Sequence, residues 1–407
     1  MPTRYGRSPW IDQFPKSRVP SYPTHRGPLK VDAVIVGGGL AGCATAYAFA
    51  AAGIKVALFE ADRLGHGASG SSTGWIADDP GVSFFDLEKL VGLRRARSGW
   101  QAWRRSALDF AALLRRLNIK CDLEPRGSLL LATTAEQAAG IAREQKSRRA
   151  AGLDAIVATP RVISEELAAA ATIGIRSRDG ATINPYRATI GLAAAAVERG
   201  AQIFERSRVR KIGFNRKDAE VFTAGGSFRT VRVVVATAMP TATLSHSLAR
   251  HFWFKSSYLA LTEPLPAKLR QRLGKRSVVI RDGATPPHLV RWVDDERLLI
   301  EGADGDQPVD RLREKTIVQR TGQLMYELST IYPDISGTLP AYGWNAPYAL
   351  TAEGLPYIGP HRNFPHQLFA FGDSSHGVTG AFLASRILLR HYLGEVDAAD
   401  EAFGFTR

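Results

Sequence analysis

The stretch Val31-Asp32-Ala33-Val34-Ile35-Val36-Gly37-Gly38-Gly39-Leu40-Ala41-Gly42, followed after an Ala-rich segment by Lys55-Val56-Ala57-Leu58-Phe59-Glu60, decides the fold. It reads as strand, tight turn, helix, second strand and terminal acid. Gly37 lets the chain turn sharply out of the strand. Gly39, lacking a side chain, lets backbone approach a pyrophosphate, and Gly42 lets the helix pack closely on the sheet. The helix start at Leu40 and Ala41 offers free N–H groups and a partial positive charge to phosphates. Glu60, with Ala61 behind it, ends the second strand where a ribose diol would lie. A lone Gly-x-Gly-x-x-Gly is weak, but here strand, helix and acid all stand where a dinucleotide site needs them.

Outward from this unit, Asp62-Arg63-Leu64-Gly65-His66-Gly67-Ala68-Ser69-Gly70-Ser71-Ser72-Thr73-Gly74 is a long loop of small residues after the ribose acid, suited to close backbone approach. Residues 85–118 carry the apolar spacing of one or two amphipathic helices through Leu87, Leu90, Leu93, Trp100, Trp103, Leu108, Leu113 and Leu117. Ser128–Ala132 reads as a short strand and Thr134–Gly152 as a polar helix. Asn184-Pro185 opens a helix that ends at Gly200. Ala201–Glu205 and Arg208–Phe214, the latter containing Val209, read as strands, and Phe228–Thr237 as a fully buried one. Residues 253–263 and 288–302 look like strands of a second sheet, with a turn at Asp294-Asp295. Val309–Leu328 is helical. Leu368–Asp373 is a buried strand ending in Gly372-Asp373, and Gly377–Leu393 is the last helix.

Nucleotide-type signatures therefore occur early, in the middle and late, with other material between them. The expected class is α/β: a Rossmann-like domain from 31–84, 155–240 and 340–407, interrupted by a substrate domain from 85–154 and 241–339 on a mixed or antiparallel sheet. Residues 1–30, polar and Pro-rich, read as an extended arm.

Composition narrows the function classes. The 407 residues are 45% hydrophobic and 23% charged, ordinary for a globular chain. No apolar run is long enough to span a bilayer, no signal peptide is evident, and cytoplasmic residence is expected. Two cysteines, Cys43 and Cys121, give neither a disulfide framework nor a thiolate metal cluster, and no metal site is read. The net charge of +14 is spread along the chain, and its clusters (Arg94-Arg95-Ala96-Arg97, Arg104-Arg105, Lys146–Arg149) fit solvated helix faces. No nucleic-acid motif accompanies them.

With these segments in place the chain resembles the D-amino acid oxidase superfamily of flavoproteins, in particular its glycine oxidase, sarcosine oxidase and gamma-glutamylputrescine oxidase-like branches. The resemblance runs from about Val31 to the end. It rests on the Gly37–Glu60 unit, Gly67-Ala68-Ser69-Gly70, Asp179-Gly180-Ala181-Thr182-Ile183-Asn184-Pro185-Tyr186, Gly354-Leu355-Pro356-Tyr357-Ile358-Gly359-Pro360 and Phe371-Gly372-Asp373-Ser374-Ser375-His376-Gly377. The Pro-rich lead-in looks most like the putrescine-type branch.

The resemblance implies FAD, held by Gly37, Gly39, Leu40, Ala41, Gly42, Glu60, Ala61, Gly67, Ala68, Ser69, Ser72, Thr73, Val209, Gly372, Asp373, His376, Gly377, Val378 and Thr379. It implies oxidation of the C–N bond of an amine or amino acid, with hydride passing to flavin N5 and the imine hydrolysing. The tethering Cys of sarcosine-type relatives falls near Ala346, so the flavin is expected to be non-covalent; His66 is the remaining candidate tether. The carboxylate-gripping Arg positions of glycine oxidases fall on Tyr348 and Ser375, and the sarcosine-type basic positions on Trp75–Asp79 and Thr379, none of them basic. Asp78 would then meet a cationic substrate end, unless Asp78-Asp79-Pro80 is a surface turn. Tyr258 and Trp344 are candidate pocket walls, Arg291 a candidate carboxylate ligand, and His376 either a flavin or pocket contact or a helix cap. The Lys that helps oxygen react has no counterpart in Arg297–Gly302, which leaves oxygen and an electron carrier both open as acceptor. Two other readings stay open: an RNA-modifying flavoprotein, and a flavin binder without amine turnover. Oligomeric state is not legible.

Overall fold

The computed structural model describes residues 2–167, 172–372 and 377–407. A six-stranded sheet has the order Gln202–Phe204, Val56–Phe59, Ala33–Val36, Arg232–Ala238, Gln367–Phe371, Tyr357–Pro360, parallel except for its last pair. Its strands are apolar on both faces, as a covered parallel sheet requires. Ile35, Leu58 and Val234 join the core under the helices Leu40–Ala51, Pro185–Glu198 and Gly377–Leu393. Val34, Ala57 and Val235 pack instead against Val221 and Phe228 of the antiparallel meander Lys211–Phe214, Ala219–Thr223, Gly226–Thr230. The three layers make the α/β cofactor fold expected from the sequence.

A second, mixed sheet of nine strands lies beside it. Its order is Arg4–Tyr5, Pro340–Leu350, Trp253–Thr262, Arg297–Asp306, Leu289–Val293, Val278–Asp282, Gly127–Ala132, Ile173–Ser177, Ile156–Ala158. The three-residue turn 294–296 between Val293 and Arg297 holds both Asp294 and Asp295 at φ +52°, in the left-handed region. One face is covered by the helix Asp310–Ile331, with Ile317, Leu324 and Leu328 on Val290, Trp292, Leu298 and Ile300. The other carries Leu259, Val293, Leu299, Tyr342 and Trp344.

Several segment assignments move. Pro340–Leu350, Ile156–Ala158 and Ile173–Ser177, placed by sequence with the cofactor domain, belong to the nine-stranded sheet. Conversely, the helix Leu93–Arg116, placed with the substrate domain, buries Trp100, Trp103, Phe110 and Leu114 in the cofactor-domain core, where Phe110 stacks on Phe382 at 4.9 Å. Its apolar stripe needs a helical partner and finds one there. Residues 2–30, read as an extended arm, are docked on the protein: Arg4–Tyr5 pairs with Tyr342 and Gly343, Pro9–Asp12 is a helical turn, and Trp10 and His25 are buried.

Candidate cofactor and active site

The first strand delivers its chain into Gly37, which sits at φ +111° with any Cβ aimed at the Ala236 carbonyl. Only glycine tolerates both conditions. A Cβ at Gly42 would collide with the Gly37 carbonyl oxygen, so the helix can seat against the turn only without one. Gly38, for which sequence reading found no role, is equally constrained: a Cβ there would meet Leu64 and Glu60. Glu60 closes the turn, its Oε2 accepting the Gly38 N–H at 2.7 Å and its Oε1 the Asp62 N–H at 2.8 Å.

Helix Leu40–Ala51 has no cap from its own preceding residue. Ser69 Oγ, from the small-residue loop, accepts the Leu40 N–H at 2.7 Å. The N–H groups of Ala41 and Gly42 have no acceptor within the helix. The helix start borders a cavity of about 270 Å³ lined by Gly37, Gly39, Leu40, Ala41, Glu60, Ala61, Gly67, Ala68, Ser69, Ser72, Val209, Gly377 and Val378. The starts of two long helices, at Leu40 and Gly377, thus converge on one space. Their dipoles both favour negative charge there.

Other predicted cofactor residues stand apart from this lining. Gly42 is buried beneath it. Gly372 lines a small adjoining cavity that shares Ala41, Ala238, Gly377 and Ala381 with its surroundings. Thr73 is buried, and Thr379 donates its Oγ1–H to the Ala77 carbonyl at 2.8 Å, tying the last helix to the strand Trp75–Ile76. Asp373 and His376 lie outside the described residues. The lining also includes residues that the sequence reading passed over: Arg208, Ala236, Thr237, Ala238, Thr241, Thr243 and Leu244. The run of Ala and Thr after the strand Arg232–Ala238 resembles the Gly67–Gly74 loop in composition, and was the available signal.

The loop itself is held from above. Trp344 Nε1–H donates to the Ser71 carbonyl at 2.8 Å, and Trp10 Nε1–H to the Ser72 carbonyl at 2.9 Å. Trp344 therefore marks the face of the nine-stranded sheet that turns to the cofactor loop. Pairing with Leu259 places Glu301 on that face, and the two-residue strand period adds Ala346 and Tyr348. Tyr348 donates its hydroxyl to Asp304 at 2.6 Å. Burial raises the Asp304 carboxyl above its ordinary range, with the Tyr348 and Ser257 hydroxyls opposing. Burial and the neighbouring Asp304 push the Tyr348 phenol up.

Among the described residues, the predicted catalytic residues Tyr258, Arg291 and Asp78 are not brought together. Tyr258 follows Ser257 by one residue and so points to the opposite face, beneath the helix Asp310–Ile331 with Arg320 over its ring. Arg291 lies on the cofactor-facing side, where it donates to the carbonyls of Ile183 and Trp292 at 3.2 and 3.4 Å and stacks over Trp10 at 5.2 Å, while its Nε is buried without a hydrogen-bond partner among the described residues. Burial, with the charge of Arg126 adding to it, lowers it to about 9. Asp78 is neither a surface turn nor at the cofactor. It is buried with a hydrogen bond from Ser177, in a separate cleft of about 180 Å³ with Asp79, Trp100, Arg104 and Arg148. Burial, and then Asp79, raise its carboxyl. Asp79 itself pairs with Arg281 at 2.5 Å. His66 turns its ring edge to Tyr186 at 5.8 Å and is not part of the cavity lining. Both cysteines are buried thiols outside the lining, Cys43 lying behind it with its Sγ–H on the Gly38 carbonyl at 3.6 Å.

A Gly-rich turn under two helix starts, a ribose acid and a sheet face set over the loop define a dinucleotide-dependent oxidoreductase of two-sheet build. The chain belongs to the DAO family of FAD dependent oxidoreductases, whose model matches residues 32–390. It is 27% identical over 384 residues to the gamma-glutamylputrescine oxidoreductase of Escherichia coli, covering 91% of this chain and 86% of that one. It is 28% identical over 371 residues to a glycine oxidase of Geobacillus kaustophilus, covering 87% and 90%. The crystal structure of glycine oxidase from Geobacillus kaustophilus superposes with a TM-score of 0.77 at 23% identity, over 94% of this chain and 99% of that one. FAD is thus the cofactor. Among the described residues no helix is long and apolar enough to cross a membrane.

Proposed function

We propose that this chain oxidises the C–N bond of an amine whose far end is cationic, in preference to a simple α-amino acid. The observation that carries the substrate class is the charge on the cofactor-facing side of the nine-stranded sheet. Tyr348, where glycine oxidases align a carboxylate-binding Arg, points its hydroxyl at Asp304, and Glu301 shares the face. Of the cations on this side, Arg281 pairs with Asp79 and Lys255 with Asp306 at 2.6 Å, and Arg291 is buried against the carbonyls of Ile183 and Trp292. A carboxylate would meet carboxylates at this wall, whereas an ammonium would be paired.

The fit to FAD comes from the chain itself. The N–H groups of Ala41 and Gly42 and the start of the Gly377 helix would hold the pyrophosphate, Glu60 the ribose, and Val209 with Thr241 and Leu244 would flank the adenosine end. Bound FAD would accept, at N5, the hydride from the carbon next to nitrogen, leaving an imine that water hydrolyses. Without a thiol at Ala346, and with His66 turned away, non-covalent binding is the reading supported. The protein's part is to seat the amine by its distal charge, keep the reacting nitrogen neutral in a dry pocket and hold the cofactor still. No observation favours an RNA substrate: Arg94 pairs with Glu401, and Arg104 with Asp154 and Asp179.

An anaerobic absorbance screen of purified protein against amines and amino acids tests this. Bleaching of the flavin band by amines is expected. Bleaching by neutral α-amino acids alone would overturn the substrate class, and a flavin band that no amine bleaches would leave a flavin binder without amine turnover. Admission of air then separates fast reoxidation, an oxidase, from slow, a dehydrogenase using a carrier.

A further inference from the structure

We propose that residues 2–27 are a cofactor strap, docked on the FAD loop so that strap and FAD stabilise each other. The inference rests on the FAD site described above and adds a part of the chain that none of its motifs includes. The strap starts on the nine-stranded sheet, where Arg4–Tyr5 pairs with Tyr342 and Gly343, and Asp12 accepts from the Tyr342 hydroxyl at 3.0 Å. It then crosses the small-residue loop. Ser8 caps the turn Pro9–Asp12, and that turn drives Trp10 and Ile11 downward. Trp10 is 6% exposed and its indole N–H holds the Ser72 carbonyl, one residue from the carbonyl held by Trp344. Ile11 lies against Gly70, where an added Cβ would stand 2.7 Å from Ile11 Cδ1. Phe14 meets Tyr186 edge-on at 5.4 Å. Ser72, the residue Trp10 holds, and Ser69, next to Gly70, both line the cofactor cavity.

The far end of the strap grips the other side of the same cavity. Glu205 accepts the Tyr22 N–H at 3.3 Å with one oxygen and the Leu64 N–H at 2.9 Å with the other. Leu64 is the residue packed over Gly38. His25 donates its backbone N–H to Ser207 Oγ at 2.8 Å and sits among Phe59, Phe204 and Phe228. Between the anchors, Lys16, Ser17 and Arg18 are exposed. The segment is therefore fastened at one end to Ser72 of the cavity lining and at the other to Glu205 and Ser207, beside Arg208 and Val209 of that lining, with an exposed turn between. Coupling of this kind is reciprocal: whatever the strap adds to FAD affinity, FAD adds to strap docking.

Trypsin supplies one readout, at Lys16 and Arg18. FAD-loaded protein should be cut there at least tenfold more slowly than protein stripped of flavin and restored by adding FAD. Flavin fluorescence supplies the other. Trp10→Phe, which keeps the ring and loses the N–H, should raise the FAD dissociation constant several-fold, and Trp10→Ala more, with the Tm of the flavin-stripped protein little changed for Trp10→Phe. Equal cleavage rates with and without FAD, or a Trp10→Phe protein with a lower stripped-state Tm and wild-type FAD affinity, would overturn the strap. Protein that binds no FAD at all would instead remove the cofactor reading on which it stands.

Discussion

The cofactor cradle and the sheet face opposite it are built in contrasting ways. The cradle is backbone: a Gly turn, free N–H groups at Ala41 and Gly42, and Glu60 fixing the turn from the next strand. Its residues are close in sequence, and Gly37, Gly38 and Gly42 are each constrained by a close approach that a Cβ would block. The face is side chains: Glu301, Asp304, Trp344 and Tyr348 come from two strands that are not neighbours in the sheet, held in register through Trp253–Thr262. The first arrangement binds something every relative shares. The second leaves substrate choice to a few replaceable groups.

The sharpest way to break the cradle is Gly42→Val. The new Cβ collides with the Gly37 carbonyl, and backbone cannot yield cheaply. Overpacking of this kind costs about 1–3 kcal/mol or more, so FAD retention after gel filtration should be lost while the unaltered chain keeps it. A smaller effect is expected at the face. Asp304→Asn removes a charge from a hydrogen-bonded pair, worth about 1.5–3 kcal/mol to an ammonium. KM for the amine should rise roughly 10–100-fold with kcat little moved, the pattern of lost uniform binding; a fall in kcat with unchanged KM would place Asp304 elsewhere in the account.

The rear of the same sheet supplies controls. His288 bridges Asp282 at 2.6 Å and Glu327 of the covering helix at 3.0 Å, and the Asp282 hydrogen bond holds its pKa above the ordinary value near 6.5. The imidazolium's contribution is complete below that ordinary value and is lost as pH rises through the raised one. The Tm advantage of the unaltered protein over His288→Asn should therefore be largest near pH 6, roughly 1–2 °C for about 1 kcal/mol in a chain of this size, and fade toward pH 9. A gap that widened with pH would reverse the assignment. Tyr258→Phe, beneath the helix, should change kcat/KM by less than about twofold, because no group of the proposed chemistry lies on its side of the sheet.

These differences also explain what could be read from the chain. Gly37, Gly42 and Glu60 were legible because a local turn dictates them. Gly38 was not, since its constraint comes from Leu64 more than twenty positions on. Tyr258 failed because face depends on register: its strand Trp253–Thr262 is buried almost throughout, so alternation of polarity gives no direction. Pro340–Leu350 went unread because Pro, Gly and Asn within it look like turn material, yet pairing along its length makes it a strand. In Leu93–Arg116 two large residues misled, Leu93 and Leu108 being exposed, whereas Trp100, Trp103 and Leu113 are buried as read, on a stripe that also takes in Ala96, Gly99, Ala107 and Phe110. Asp78 looked like a turn beside Asp79-Pro80, but Arg281, from a distant strand, and Ser177 bury the pair.

The central claim is that a carboxylate-bearing wall over FAD selects amines. It is tested most directly by the rate of anaerobic flavin bleaching with an aliphatic diamine and with the α-amino acid that differs from it by one carboxylate. The account predicts faster, tighter reduction by the diamine, with Asp304→Asn narrowing the gap. Equal or faster bleaching by the amino acid, unaffected by Asp304→Asn, would contradict it.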